Sequence, residues 1–285
     1  MFSFNFNVDS SENCDKKDAS IDTNEEKDTN DTTEEVIYGE VTFSTADCNN
    51  LIESCGIEET MITPDYKIYH IDLNVCEEKL KQSSDSKIKE ALDKNSDVIP
   101  QVYEGGLKVW ECSIDLCAYL KETNYELSNL NILELGCGIG LPGIYTLSRQ
   151  PASVTFSDYN KEVLEFVTCP SVFFNSEDED RPEVSFIYGD WSVIDRQLRH
   201  RFYDLILMSE TIYDTTNYKI LLKLLDLVLS DKGEVLLASK NHYFGVGGGT
   251  RLFEKAVENH GIFKHFLLKS YPEGLQREIL KLARR

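Results

Sequence analysis

One stretch constrains the fold more than any other. Asn131-Ile132-Leu133-Glu134-Leu135 runs without a break into Gly136-Cys137-Gly138-Ile139-Gly140, and Leu141-Pro142-Gly143-Ile144 follows at once. NILEL is a short apolar run of the kind found in strands buried on both faces. Glycines at 136, 138 and 140 permit a sharp turn and a close approach of backbone to a ligand. Pro142 suits the first turn of a helix, where its missing N–H costs little. A strand that feeds a helix through a glycine turn is the opening unit of a ligand-binding α/β sheet, with the helix N-terminus at the turn. The spacing is GxGxG, which differs from the GxGxxG of the dinucleotide fingerprint. The alternative is a tight strand-to-helix turn with no ligand.

The text on either side repeats the unit. ASVTFSD is followed by YNKEVLEFVT, VSFIYGD comes next, YDLILMSE precedes NYKILLKLLDLVLS, and GEVLLASK precedes RLFEKAVENHG. The chain closes on FKHFLLKSY and LQREILKLAR, joined by PEG with no helix between them. Apolar strands alternating with amphipathic helices predict a Rossmann-like α/β fold: a seven-stranded, mostly parallel sheet with helices on both faces. The terminal hairpin makes the last strand antiparallel. This pattern occupies residues 98–285. Residues 36–97 form an extension that packs on the core. VIYGEVTF, LIESCGI and YKIYHIDLNV read as short strands or turns there, and residues 76–97 as weakly helical. Residues 1–35 are nearly free of apolar side chains after FSFNF. They predict a disordered acidic arm, because so little apolar surface cannot offset the ordering entropy.

The charge is uneven as well. Of a formal −21, residues 1–100 hold 24 acidic and 9 basic side chains, against 26 and 20 in the remainder. Phosphate contacts need clustered Lys and Arg, so nucleic acid is not expected as a direct ligand. A basic partner suits this field, and plain solubility is the competing explanation. No run of about 18 apolar residues exists for a membrane span, and the first residues lack the basic and apolar regions of a secretory signal. The eight cysteines form no CxxC pair and no Cys/His zinc spacing, so no metal is expected.

The ends of the strands carry the candidate chemistry, because ligands of open α/β sheets bind outside the carboxyl ends. Asp158 ends the second strand, 24 residues beyond Glu134, where an acid accepts hydrogen bonds from ribose hydroxyls. Capping of the next helix by Asp158 or Asn160 is the alternative. Gly189-Asp190-Trp191 ends the third strand. Its acid suits an adenine amine and its aromatic can stack on the ring, although Trp191 is equally suited to core packing. Ser209-Glu210-Thr211-Ile212-Tyr213 ends the fourth strand, with Glu210 and Tyr213 spaced as acid-xx-aromatic. The fifth strand leads into Lys240-Asn241-His242-Tyr243-Phe244-Gly245-Val246-Gly247-Gly248-Gly249. So many glycines predict a mobile loop that closes on a substrate. Upstream, Val102-Tyr103-Glu104-Gly105-Gly106-Leu107-Lys108-Val109-Trp110-Glu111-Cys112-Ser113 reads as a lid segment entering a helix.

Taken together, GGLKVWECSIDL, LELGCGIGLPGI, SDYN, GDWS, DLILMSETIY and LLASKNHYFGVGGGTRLFEKAVE resemble the eukaryotic protein-histidine methyltransferases, over about residues 98–285. The resemblance implies S-adenosyl-L-methionine as cofactor. It implies contacts from Val109, Trp110, Glu111, Cys112, Ser113, Gly136, Gly138, Asp158, Tyr159, Asn160, Gly189, Asp190, Trp191 and Ser209, with Glu134 just before the loop that underlies the cofactor's carboxypropyl end. Glu210 and Tyr213 match the substrate motif and become the expected catalytic pair. Asn241, His242, Tyr243, Phe244, Gly247, Gly248 and Gly249 become the expected substrate-binding residues. The implied substrate is a histidine of a basic protein, a large-subunit ribosomal protein, and the implied enzyme is a monomer of cytoplasm and nucleus. Lysine methylation and a non-catalytic role as a chaperone of a ribosomal protein are the alternatives.

Overall fold

The computed structural model describes residues 38–82, 88–94, 96–176 and 182–285. The acidic arm, residues 1–35, lies outside the described residues. The N-terminal part contains β1 (Gly39–Glu40), α1 (Thr45–Cys55), the hairpin of β2 (Ile57–Thr63) and β3 (Tyr66–Ile71), then α2 (Leu73–Gln82) and α3 (Lys89–Asp93). LIESCGI, read from sequence as a strand or turn, is mostly the second half of α1. The helix is set by what precedes it. The Ser44 hydroxyl accepts the Asp47 N–H at 3.1 Å, and the Ser44 N–H reaches the Asp47 carboxylate at 3.3 Å, a reciprocal cap on two orphan donors.

From α4 (Glu111–Glu122) the alternation expected from the sequence appears. It runs β4 (Asn131–Leu135), α5 (Leu141–Leu147), β5 (Ser153–Asp158), α6 (Lys161–Val163), a π-helical turn (Leu164–Thr168), α7 (Cys169–Phe174) and β6 (Glu183–Tyr188). It continues with β7 (Tyr203–Ser209), α8 (Tyr218–Val228), β8 (Leu229–Lys240), α9 (Thr250–His260), β9 (Phe263–Tyr271) and β10 (Arg277–Arg284). The main sheet has the order β1-β6-β5-β4-β7-β8-β10-β9. β6, β5, β4, β7 and β8 are parallel. β10 runs antiparallel to both neighbours, so the last strand is inserted between β8 and the edge strand β9. β1 adds a short antiparallel eighth strand at the far edge, through Gly39 opposite Tyr188 and Glu40 opposite Ile187.

Alternation along each strand loads both faces. Ile132 packs on the side of α4, α5 and α7, with Leu116, Ile144 and Val172. Leu133 and Leu135 pack on the side of α8 and α9, with Leu221, Leu225, Phe253 and Val257. Each fully buried aliphatic or aromatic side chain contributes about 1.5–3 kcal/mol, so the sheet is clamped from both sides. The N-terminal part joins the first of these cores through Ile68, Ile71 and Cys76. The strand order reverses between β4 and β7, and in open sheets of this kind the ligand crevice lies outside the carboxyl ends at that point.

Candidate active site

A cavity opens at that crevice, with about 1240 Å3 of empty space continuous with solvent. Its wall includes residues from the tip of every neighbouring strand: Gly136 and Gly138 after β4, Asp158 and Tyr159 at β5, Asp190 and Trp191 after β6, and Ser209, Glu210 and Tyr213 after β7. Trp110 and Ser113 line it from the start of α4.

The glycine turn is held in place. Gly136, Gly138 and Gly140 have φ of +68°, +51° and +86°, the left-handed region that side chains resist. The Gly138 N–H donates to Asp158 Oδ2 at 2.8 Å, and its carbonyl accepts the Thr168 hydroxyl at 2.6 Å. A Cβ on Gly138 would stand 3.3 Å from the Gly106 carbonyl, so the turn and the segment above it approach backbone to backbone. Asp158 also accepts the Asn160 N–H at 3.0 Å. Its carboxyl is pushed up to about 6 by burial, against the pull of these backbone donors. Asp158 therefore engages the chain ahead of α6 and also presents its acid to the cavity. The alternative, a side-chain cap of α6 by Asn160, is not made. The Asn160 side chain turns to the segment above the cavity, donating to Val102 O at 2.8 Å and accepting from the Glu104 N–H at 3.2 Å. Tyr159 does the same through its hydroxyl, 2.7 Å from Gln101 O.

At the tip of β7, Glu210 has φ +57°, a conformation uncommon for a non-glycine residue. It is buried, and its carboxylate is held on two sides. Lys240 Nζ stands 3.2 Å from Oε1, and the Tyr243 hydroxyl donates to Oε2. Ser239 Oγ lies 2.8 Å from the same tyrosine oxygen. Lys240 Nζ lies 5.3 Å from the centre of the Trp110 ring, and the Trp110 indole N–H donates to Gly105 O at 2.9 Å. Tyr213 donates its hydroxyl to Glu104, which lines the same wall. Burial, and then the Glu104 carboxylate beside it, push the Tyr213 phenol well above its usual range.

Several expected site residues lie behind the wall. Glu134 is buried and accepts the Gly143 N–H at 2.7 Å, so its carboxylate points at α5. Burial holds it well above the usual carboxylate range. Val109 packs on the core, Cys112 is fully buried, Glu111 pairs with Arg277 at 3.4 Å, and Gly189 fits under Tyr38 and Ile194. None of residues 241–249 lines the cavity. Their glycines answer a packing demand. A Cβ on Gly248 would stand 2.2 Å from Tyr213 O, and one on Gly249 2.2 Å from Asn241 O. Gly248 donates to Tyr213 O at 2.9 Å, and Gly249 to the Tyr218 hydroxyl at 2.9 Å. The mobile closing loop expected from composition is instead a turn tied to the strand-β7 tip, which places Tyr243 against Glu210. Gly247 faces open space, while His242 and Phe244 are exposed. Glu104 and Lys240 are site residues that strand-tip reasoning missed. Lys240 sits where a β8 tip residue should be, and that position is the signal available in the sequence.

A family profile described as lysine methyltransferase matches residues 89–254. A histidine protein methyltransferase 1 homolog of Dictyostelium discoideum is 43% identical over 194 residues, 67% of this chain and 62% of that protein. The homolog of Rattus norvegicus is 35% identical over 263 residues, 83% of this chain and 72% of that protein. The chain thus spans just under two thirds of the Dictyostelium protein's length. The YcgJ protein of Bacillus subtilis shares the fold at TM-score 0.50 and 9% identity, covering 60% of this chain and 98% of that one.

Proposed function

Because the chain belongs to the histidine protein methyltransferase family, we propose that it transfers a methyl group from S-adenosyl-L-methionine to a ring nitrogen of a histidine in a basic protein. The observation that carries the reading is Glu210: a buried carboxylate on the cavity wall, fixed by Lys240 and Tyr243, one strand away from the glycine turn.

The residues present fit the cofactor. The left-handed turn at Gly136 and Gly138 leaves backbone open to the cavity. Asp158 offers a buried acid for ribose hydroxyls, and Asp190 and Trp191 offer an acid and a ring for adenine. Trp110, Ser113 and Ser209 complete the wall. When bound, the cofactor supplies an electrophilic methyl group. The chain's own work is to hold the acceptor in line and to favour its reactive form. A histidine ring is neutral over much of the range near pH 7, so no strong base is needed to create the nucleophile. Glu210 accepts a ring N–H, which fixes the tautomer and leaves the other nitrogen free. Its preset charge also stabilises the positive charge that grows on the ring.

The acidic balance, −21 over the chain, supports a basic protein partner, for which a large-subunit ribosomal protein is the proposed case. The proposed enzyme acts as a monomer in cytoplasm and nucleus. Lysine is the competing acceptor, since the matching family profile carries that description. The test is methylation of a histidine-containing substrate and of the same substrate with lysine at that position, read by mass spectrometry. Transfer to lysine alone overturns the histidine reading. Loss of one histidine mark on a ribosomal protein in cells lacking the chain identifies the target.

A further inference from the structure

The acid-xx-aromatic motif accounts for Glu210 but leaves a second carboxylate on the same wall unexplained. Glu104 lies in the segment above the cavity, far in sequence from any strand tip. Its backbone is anchored by Asn160, and its carboxylate accepts the Gln101 N–H at 2.8 Å and the Tyr213 hydroxyl. The Tyr213 ring meets the Tyr243 ring edge to face at 6.2 Å, and Tyr243 in turn holds Glu210. The two carboxylates thus flank one aromatic pair, with Tyr213 on the cavity wall and Tyr243 buried behind it. Glu210 is charge-compensated by Lys240, whereas the donors to the Glu104 carboxylate, the Gln101 N–H and the Tyr213 hydroxyl, are neutral.

We propose that Glu104 is a second acceptor-side catalytic residue, the group that receives the proton the imidazole must lose. This rests on the histidine methyltransferase reading. The transfer leaves a ring cation with a proton to lose, and a carboxylate beside the ring can take it. One ring nitrogen forms the bond to the methyl carbon as the sulfur–methyl bond breaks, and the ring becomes a cation. The N–H on its other nitrogen, which Glu210 orients before the transfer, lies between the two carboxylates. It then gives its proton to Glu104 rather than to the Lys240-paired Glu210, leaving neutral methylhistidine and a carboxylic acid that passes the proton to solvent. Tyr213 moves its hydroxyl bond from Glu104 to solvent or substrate as the ring enters. The environment suits a proton acceptor. Burial holds Glu104 above the usual carboxylate range, opposed by the Tyr213 and Gln101 bonds, with Asp158 and Asp214 adding like charge. Lys108, the nearest cation of its own segment, is paired with Asp97 at 3.1 Å.

The test is Glu104→Gln in the full chain. Glutamine keeps its oxygen for the Gln101 N–H and can donate its amide N–H to the Tyr213 oxygen, but it cannot take a proton, so a structural role would survive. The expected result is a fall of about 10²-fold or more in kcat on a histidine substrate, the scale of general-base contributions. Three readouts should accompany it: loss of the acid limb of the pH–kcat profile, unchanged thermal unfolding, and S-adenosylhomocysteine affinity within about threefold. Glu104→Asp should restore part of the rate. Undiminished kcat in Glu104→Gln overturns the proposal, as does an equal loss of cofactor affinity, which would place Glu104 in the cofactor site. A native chain that methylates no histidine would overturn the underlying reading instead, whatever the variant does.

Discussion

Asp158 should make cofactor binding pH-dependent in a range where most carboxylates are silent. Its carboxyl titrates at about 6 in the free protein, because burial outweighs the Gly138 and Asn160 amides. Ribose hydroxyls donate to the ionised form, so the bound state favours the charge and binding expels a proton. At pH 5 only about one molecule in ten holds Asp158 ionised, whereas at pH 8 nearly all do. Affinity for S-adenosylhomocysteine should therefore weaken about tenfold from pH 8 to pH 5, or about 1.4 kcal/mol. For the free protein the sign is opposite. A raised native pKa means that this group's stabilising contribution is full below about 4 and is lost as pH rises through about 6. Titration calorimetry at half-unit steps gives the binding curve, and repeating it with Glu104→Gln assigns the slope to Asp158. Asp158→Asn should flatten the curve and weaken binding at pH 7.5 by about 1–3 kcal/mol. Affinity that stays level from pH 5 to 8 in the native chain would refute the assignment of Asp158 to the ribose.

Other perturbations follow from the same geometry. Lys240→Met leaves Glu210 buried without its cation and should cost about 3–5 kcal/mol in denaturant unfolding, while the double change with Glu210→Gln should regain most of it. Gly248→Ala drives a Cβ into the Tyr213 carbonyl and should destabilise by about 1–3 kcal/mol and lower methyl transfer; Gly247→Ala, at φ +90° in open space, should cost only about 1 kcal/mol. Glu210→Gln alone should reduce transfer strongly with cofactor affinity preserved, so calorimetry and turnover on one preparation separate the two roles. Removal of residues 1–35 should leave turnover of a short peptide unchanged and slow the capture of a basic protein at low salt, as stopped-flow mixing can show.

The parts of this molecule that were legible in its sequence are those governed by local pattern. NILEL-GCGIG-LPGI specifies β4, the turn and α5 through apolar period, glycine φ and a helix-starting proline, and the structure has each in place. Asp158, Asp190 and Glu210 follow from one topological rule about strand ends, and all three line the cavity. What pattern cannot carry is a contact between distant segments. Tyr213 and Glu104 are 109 residues apart, and nothing local to either announces the other. Composition misleads in a specific way at Gly247-Gly248-Gly249. Glycine serves both mobility and close packing, and only the positions of Tyr213 O and Asn241 O show that two of the three are there for packing. The hidden helix α1 has a similar cause. Its signal is a capping box in front of a polar run, while attention to LIESCGI alone finds an apolar group of strand length.

The acids along the crevice also show why position alone does not assign a role. Glu134 and Asp158 both sit at the carboxyl ends of adjacent strands, and both are raised by burial. Glu134 projects to the α5 side and spends one oxygen on the Gly143 N–H, which fastens the helix behind the turn. Asp158 stands one strand over, where the same kind of backbone bond runs to Gly138 on the cavity side. The first acid therefore stabilises the geometry of the glycine turn from behind, and the second links that turn directly to the ligand space. A change at Glu134 should be felt as a loosened turn, with stability and cofactor affinity falling together. A change at Asp158 should be felt chiefly as affinity and its dependence on pH.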